Sequence, residues 1–242
     1  MNGVMSAAQL GMLDDTERLR IISHNLANVG TVGFKRELAV NGSFDRLLQA
    51  RSGVDPGEPV GSILTSYTDR AAGTLTHTGN PLDLAIEGDA YFVVDNGLQE
   101  TYTRQGTFRL DADGQLVTAN GRTVVTTSGD VRLTSPAPAI DAQGNIRDNG
   151  TIIGQLKLVT VNNPQSLVET GNGLYTATDS TVATPADSAR VRQGYTEASN
   201  VVSMNEMIKM IETVRHFEAS QKMLQGYDAM LDRAITDLGS TQ

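Results

Sequence analysis

The sequence predicts an α+β fold in which long N- and C-terminal helices pack as a coiled coil and an antiparallel β domain is inserted between them. Two observations carry this expectation. Apolar residues recur at alternating spacings of three and four at both ends of the chain, and the stretch between them is a series of short alternating segments punctuated by Asn-Gly and Asp-Gly pairs. The expected boundaries are residues 1–37 and 200–242 for a terminal helical coiled-coil domain, 38–72 for an extended connector and 73–199 for a β-rich domain.

The first thirty residues place Met5, Ala8, Met12, Leu19, Ile22, Leu26 and Val29 on one seam, with Asp15 standing where an apolar residue is due. A helix through them would extend roughly 39 Å. Gly30 is placed to take the left-handed conformation after its end. In "SHNLANVGTVGFKR" the chain then becomes a loop with two glycines and a basic pair, a pattern that suits either a phosphate cradle or a helix stop.

At the other end Met207, Met210, Val214, Phe217, Leu224, Leu231, Ile235 and Leu238 form a second seam, with Gln221 and Asp228 in its gaps. Ser203 and Glu206 have the spacing of a capping box. One helix pair buries one stripe each, which leaves Val4, Leu10, Leu13, Ile21, Ile208, Ile211 and Tyr227 flanking the seams.

The β region follows from its turns. "YFVVDNGLQETYTR" sets Asn96-Gly97 between alternating segments, "FRLDADGQLVTANGRTVV" adds Asp113-Gly114 and Asn120-Gly121, and Gly144 and Asn149-Gly150 precede "TIIGQLKLVTV". No clean internal repeat is evident. Residues 38–72 contain two prolines and no sustained period, with one short helix expected near Phe44 to Leu48.

Composition narrows the function classes. Nineteen basic against 28 acidic residues, a formal net charge of -9, argue against a surface built to neutralise nucleic-acid phosphates. Aromatics make up 5%, there is no Trp and there are 24 Gly, so burial is expected to be completed against partners. Absence of cysteine removes disulfides and thiol chemistry. No window approaches the ~18 apolar residues of a membrane span. The N-terminus lacks the basic start and apolar run of a cleaved secretory signal, so any export is expected to use another route.

Candidate chemistry fails motif by motif. Only Thr31 and Val32 separate Gly30 from Gly33, and Phe34 follows, which is not a P-loop. His24, His77 and His216 have no second histidine at ligand spacing, although His24 and His216 could meet across paired terminal helices. "DADGQ" at 111–115 resembles the opening of a calcium loop but brings its glycine too early, and reads better as a polar turn. The sequons at Asn41 and Asn149 are what such a composition yields by chance. No nucleophile elbow occurs. No catalytic, cofactor-binding or metal-binding residue is assigned, and no cofactor is expected.

Three segments then carry a resemblance. "SHNLANVGTVGFKR" is similar to the N-terminal signature of bacterial flagellar rod and hook proteins, through Asn25, Leu26, Ala27, Asn28, Thr31, Gly33, Phe34, Lys35 and Arg36. "GTLTHTGNPLDLAIEGDAYFVV" with "YTRQGTFRLDADGQLVTANG" resembles the family's central β motif, except that Ala90 stands where a glycine usually precedes the paired aromatics. "QGYTEASNVVSMNEMIKMIETVRHFEASQKML" resembles its C-terminal motif. The short chain, "GQLKLVTV" and "MIETVRHFEASQKML" look closer to the proximal-rod type than to the longer distal-rod or much longer hook types.

The resemblance implies a structural axial component of the flagellar basal-body rod, exported unfolded by the flagellar type III apparatus and localised to the periplasm-spanning rod. Its implied partners are other rod proteins, copies of itself and the export apparatus, with no nucleic acid, small-molecule substrate or membrane span. The implied assembly motif is Asn25, Leu26, Ala27, Asn28, Gly30, Thr31, Gly33, Phe34, Lys35 and Arg36. The helix seam adds Met5, Met12, Leu19, Ile22, Met207, Met210, Val214, Phe217, Leu224 and Leu231. The implied assembly would bury the flanking residues, Ile21 among them, against helices of adjacent subunits, so both termini are expected to be mobile in a free monomer and to fold on assembly. In this reading Gly30 and Gly33 punctuate a corner, Phe34 docks in an apolar groove, and Lys35 and Arg36 face carboxylates of a neighbouring helix or subunit. The alternatives are a distal-rod or hook-type member, a wall-cutting hydrolase and a secreted β-rich binding module.

Overall fold

The computed structural model describes residues 2–41, 64–95, 99–162, 167–177, 183–186 and 188–239. The short helix expected near Phe44 to Leu48 and the turn at Asn96-Gly97 lie outside the described residues. The chain divides into two compact units, one of Met1–Ala27, Glu37–Asp69 and Val202–Gln242, the other of Asn28–Arg36 and Arg70–Val201.

The first unit contains the helices α1 (Asn2–Ala27) and α2 (Ser203–Gly239), which pack on each other, and an antiparallel ribbon pairing Glu37–Asn41 with Leu64–Thr68. Straight-chain formers and alanine dominate both helices, and neither contains proline.

The expected α+β arrangement built on a coiled coil is corrected here: among the described residues there are two helices with a large β-sheet-rich region between them in sequence, and no coiled coil. A knobs-into-holes seam needs apolar side chains at the facing positions. Among its described side chains α2 buries Glu206, Thr213 and Ser220, each one position, or about 100° of helix rotation, before the expected Met207, Val214 and Gln221. Met207 is instead 46% exposed and Val214 38%. On α1 the buried side chains include Asp15 and Asn25 beside Ile21 and Ile22. Polar groups tie the helices together, with Asp15 Oδ2 and His216 Nδ1 2.5 Å apart and Asn25 Nδ2 donating to Glu206 Oε2 at 3.3 Å.

The second unit is built from antiparallel pairs. Its nine-stranded sheet runs Leu167–Gly171, Leu174–Ala177, Glu100–Thr103, Tyr91–Asp95, Thr123–Val124, Leu116–Thr118, Phe108–Leu110, and Leu158–Val161 joins Tyr91–Asp95 to Ala183–Pro185. Tyr91–Asp95 is buried on both faces. Phe92 and Val94 enter a core with Leu84, Ile86, Phe108, Leu116, Ile146 and Leu156, while Tyr91 and Val93 pack with Val159, Val161, Leu167 and Tyr175. Phe92 meets Phe108 edge-to-face at 5.2 Å between ring centroids. Two shorter pairs, Leu84–Glu87 with Arg190–Gln193 and Leu75–His77 with Tyr195–Glu197, bring the end of the β region back against its beginning.

A local repeat appears that the sequence reading misses. In "DADGQ" Asp111 Oδ1 accepts from the backbone N–H of Asp113 and Gln115, and in "DAQGN" Asp141 Oδ1 accepts from Gln143 and Asn145. Gly114 and Gly144 both have positive φ, and their carbonyls accept from Leu133 and Leu156. These are two copies of one Asx-type turn. The 111–115 segment is thus a self-bonded turn.

Candidate functional site: the Gly33 loop and its carboxylate anchor

The loop of residues 28–36 belongs to the β-rich unit although the segments flanking it belong to the helical one. Inside it Thr31 N–H bonds the Asn28 carbonyl at 3.1 Å, Phe34 N–H bonds the Thr31 carbonyl at 3.3 Å, and Thr31 Oγ1 donates to Asn28 Oδ1 at 3.1 Å. Gly33, not Gly30, takes the left-handed conformation, with φ +69°. The expectation for Gly30 is corrected accordingly; its environment is open, and the chain's reversal falls three residues later. A Cβ at Gly33 would sit 2.6 Å from the Arg104 carbonyl carbon, so this position requires glycine for space as well as for φ.

Gly33 N–H donates to the Glu197 carbonyl at 2.7 Å, which brings the loop onto the strand Tyr195–Glu197. Phe34 and Lys35 are then buried. Lys35 Nζ donates to Glu197 Oε1 and, at 2.8 Å, to the Ala71 carbonyl. The expectation that Lys35 faces a carboxylate of a neighbouring helix or subunit is corrected: its carboxylate, Glu197, lies on a strand of the same chain and the same compact unit.

Glu197 gathers two further donors. Gly73 N–H reaches Oε1 and Arg104 Nε reaches Oε2, both at 2.8 Å. Arg104 Nη1 also donates to the carbonyls of Gly88, at 2.8 Å, and Ala90, so the guanidinium crosslinks the turn before Tyr91. Burial of a carboxylate and two cations is tolerable because the carboxylate accepts charged and neutral donors at once and the cations also reach carbonyls. Arg36 lends its backbone N–H to Asn200 Oδ1 at 2.7 Å.

Within the helical unit Asn25 acts as a substitute strand. Its Nδ2 donates to the Glu37 carbonyl and its Oδ1 accepts from the Glu37 N–H, each at 2.8 Å. Leu26 is half-buried and Ala27 exposed. Glu206 also accepts from Lys209 Nζ at 3.0 Å. His24 and His216 do not meet: His24 Nδ1 lies 3.4 Å from Glu37 Oε1, and His216 pairs with Asp15. Among the described residues no cluster of His, Asp and Glu is arranged to hold a metal.

Of the seam residues, Ile22 is buried, Met5, Met12, Leu19, Met210, Phe217, Leu224 and Leu231 are half-buried, and Met207 and Val214 are exposed. Leu13, Met204, Ile208, Ile211, Met223 and Met230 are also exposed, whereas Ile21, expected to need another copy, is buried within its own unit. Sequence reasoning misses Glu197, Arg104 and Asn200, and reads Asp15 only as a gap in the seam and Glu206 only as half of a capping box. The available signal was a charged residue inside an otherwise strand-like run, "YTE" and "YTRQG".

Two family models match the central β region and the C-terminal part of the chain. The model described as "Flagellar basal body rod FlgEFG protein C-terminal" matches residues 192–237, and "Flagellar hook protein FlgE/F/G D1 domain" matches residues 85–154. The flagellar basal-body rod protein FlgF of Mesorhizobium japonicum is 32% identical over 230 residues, 92% of each chain. FlgF of Caulobacter vibrioides is 32% identical over 228 residues, 91% of each. FlgG of Bacillus subtilis is 30% identical over 259 aligned positions, covering 93% of this chain and 95% of that protein. Matched across nearly its whole length by relatives of both types, the chain belongs to the flagellar basal-body rod protein family of FlgF and FlgG.

Proposed function

We propose that this protein is a non-catalytic structural subunit of the flagellar basal-body rod, assembling with copies of itself and other rod proteins through its helical unit. The observation that carries the reading is the exposed apolar surface of α2: Met204, Met207, Ile208, Ile211, Val214, Met223 and Met230 are all exposed on one helix. Met204, Met207, Ile208, Ile211 and Val214 also recur at helix spacings of three and four, and exposed apolar side chains grouped in this way suit association. Heterologous contacts that do not close into a ring would build a tube able to transmit torque. The assembly motif serves by shaping the chain after α1: Gly33, Phe34 and Lys35 fix the loop, while Asn25 fixes the ribbon. Export through the flagellar type III apparatus and a place across the periplasm complete the proposal.

The FlgF type is the preferred member. Its supporting observation is length: the FlgF matches align over 230 and 228 positions, whereas the Bacillus FlgG alignment spans 259 positions against a chain of 242 residues. Basal bodies purified from a deletion strain decide the matter. A rod that stops near its base is the expected result for the FlgF type, one that fails only near the hook indicates the FlgG type, and normal motile flagella would overturn both.

A further inference from the structure

The chain passes between its two compact units at 27/28, 36/37, 69/70 and 201/202. Within the β-rich unit, the residues beside three of these passages are bonded to one another. Arg36 N–H donates to Asn200 Oδ1, Asn200 Nδ2 donates to the Ala71 carbonyl at 3.2 Å, and Lys35 Nζ reaches that same carbonyl at 2.8 Å. Glu197 is where they converge, since its side chain holds Lys35, Gly73 and Arg104 and its backbone carbonyl holds Gly33.

We propose that Glu197 is a latch: the loop of residues 28–36 docks in the β-rich unit only when the carboxylate of the strand Tyr195–Glu197 is in place, so the shape of an N-terminal motif is conditional on the C-terminal part of the chain. Without the carboxylate, Lys35 and Arg104 are buried cations that have lost their common counter-charge, which is far more costly than returning Lys35 to water. The loop's internal backbone bonds, Thr31 to Asn28 and Phe34 to Thr31, are local and do not fix it against the strands. The strands keep a core of their own in Phe92, Val94, Phe108 and Leu156 and need not open with it. The pairings Lys35–Glu197 and Arg36–Asn200 span 162 and 164 positions, so local sequence cannot set the loop. A chain emerging N-terminus first therefore carries an unset corner until residues 190–201 follow.

The test uses the full chain with Glu197→Ala and the isosteric Glu197→Gln, read by amide hydrogen exchange and by trypsin, which cuts after Lys35 and Arg36. The expected result is exchange at residues 31–36 faster by at least about tenfold in Glu197→Ala, an intermediate effect in Glu197→Gln, and undiminished protection of Tyr91–Asp95. Cleavage after Lys35 or Arg36 should appear in Glu197→Ala and not in the parent. Unchanged exchange and no new cleavage would overturn the latch. So would loss of protection in the loop and the strands together, because Glu197 would then be one more element of a single cooperative core.

Discussion

Lys35 and Glu197, separated by 162 positions, form an ion pair in which each side chain is 1% exposed. Such a pair adds little stability over an apolar pair of similar volume, but it strongly penalises any arrangement in which one partner is missing. Here it selects which unit the Gly33 loop belongs to, and the second cation, Arg104, extends that selection to the turn before Tyr91.

Arg104 is the first test of this view. Its guanidinium serves Glu197, Gly88 and Ala90 from one rigid fork, which a lysine ammonium cannot match. Arg104→Lys should lower the stability of the β-rich unit by about 2 kcal/mol, the cost of leaving buried acceptors without donors. Urea unfolding followed through the tyrosines gives the value, and a midpoint within error of the parent would refute the crosslinking role.

The two loop glycines should behave oppositely. Gly33 combines positive φ with backbone atoms of Arg104 and Gln105 where a side chain would go, whereas nothing lies within 4 Å of a Cβ at Gly30. Gly33→Ala should destabilise by about 2 kcal/mol or more, and Gly33→Val should also stop rod assembly. Gly30→Ala should stay within about 0.5 kcal/mol of the parent. Thermal melts of both variants, with motility assayed on soft agar, check the contrast.

Exposed apolar residues of α2 should matter for association and not for the monomer. Ile208→Lys and Ile211→Lys, at positions 49% and 53% exposed, should change monomer stability by less than about 0.5 kcal/mol. In cells the same changes should reduce recovery of the protein in purified rods. A large drop in monomer stability would show that these side chains are already packed within their own chain.

Acid should weaken the β-rich unit through Asp148. Its Oδ2 accepts from Thr134 Oγ1 at 2.5 Å and Thr134 N–H at 2.8 Å, bonds that hold its carboxyl below the usual carboxylate range. Because the folded-state pKa is the lower one, the contribution is complete above the unfolded value of about 4 and is lost as pH falls through the folded value. Asp148→Asn should remove that part of the acid sensitivity. Urea midpoints between neutral pH and pH about 3 report it, and parallel pH profiles for parent and variant would count against the assignment. Asp141 adds a loss of the same sign: partial burial opposes its ionisation, yet the bonds from Asn145 and Gln143, with Arg147 nearby, still lower its carboxyl.

The rhythm of α1 and α2 is readable in sequence because helix periodicity depends only on local spacing, and the Asp-Gly and Asn-Gly turns are readable for the same reason. What each helix buries is not. The choice between Glu206 and Met207, neighbours on one helix, depends on Asn25 and Asp15 arriving from elsewhere in the chain, so Met207 and Val214 stay exposed while Glu206 and Thr213 turn inward. The "GFKR" loop was legible as a corner through its glycines and its family likeness. Its partners were not, since Glu197 lies 162 positions away and a buried acid looks like a surface one until its cations are placed. The strand Tyr91–Asp95 reads as alternating yet is covered on both sides, a consequence of sheet topology that no local pattern encodes.

The paired turns at Asp111 and Asp141 bear on how such a chain can change length over generations. Each closes through its own aspartate and glycine, and each hands a single carbonyl, from Gly114 or Gly144, to a leucine further along. The turns are rivets, and residues can be added or shed at open corners, at Gly121 between them or at Gly150 beyond the second, where nothing lies within 4 Å of an added Cβ, without the rivets losing their own bonds. Length change is therefore expected at those corners ahead of the aspartate and glycine of each rivet, which the turn geometry itself requires.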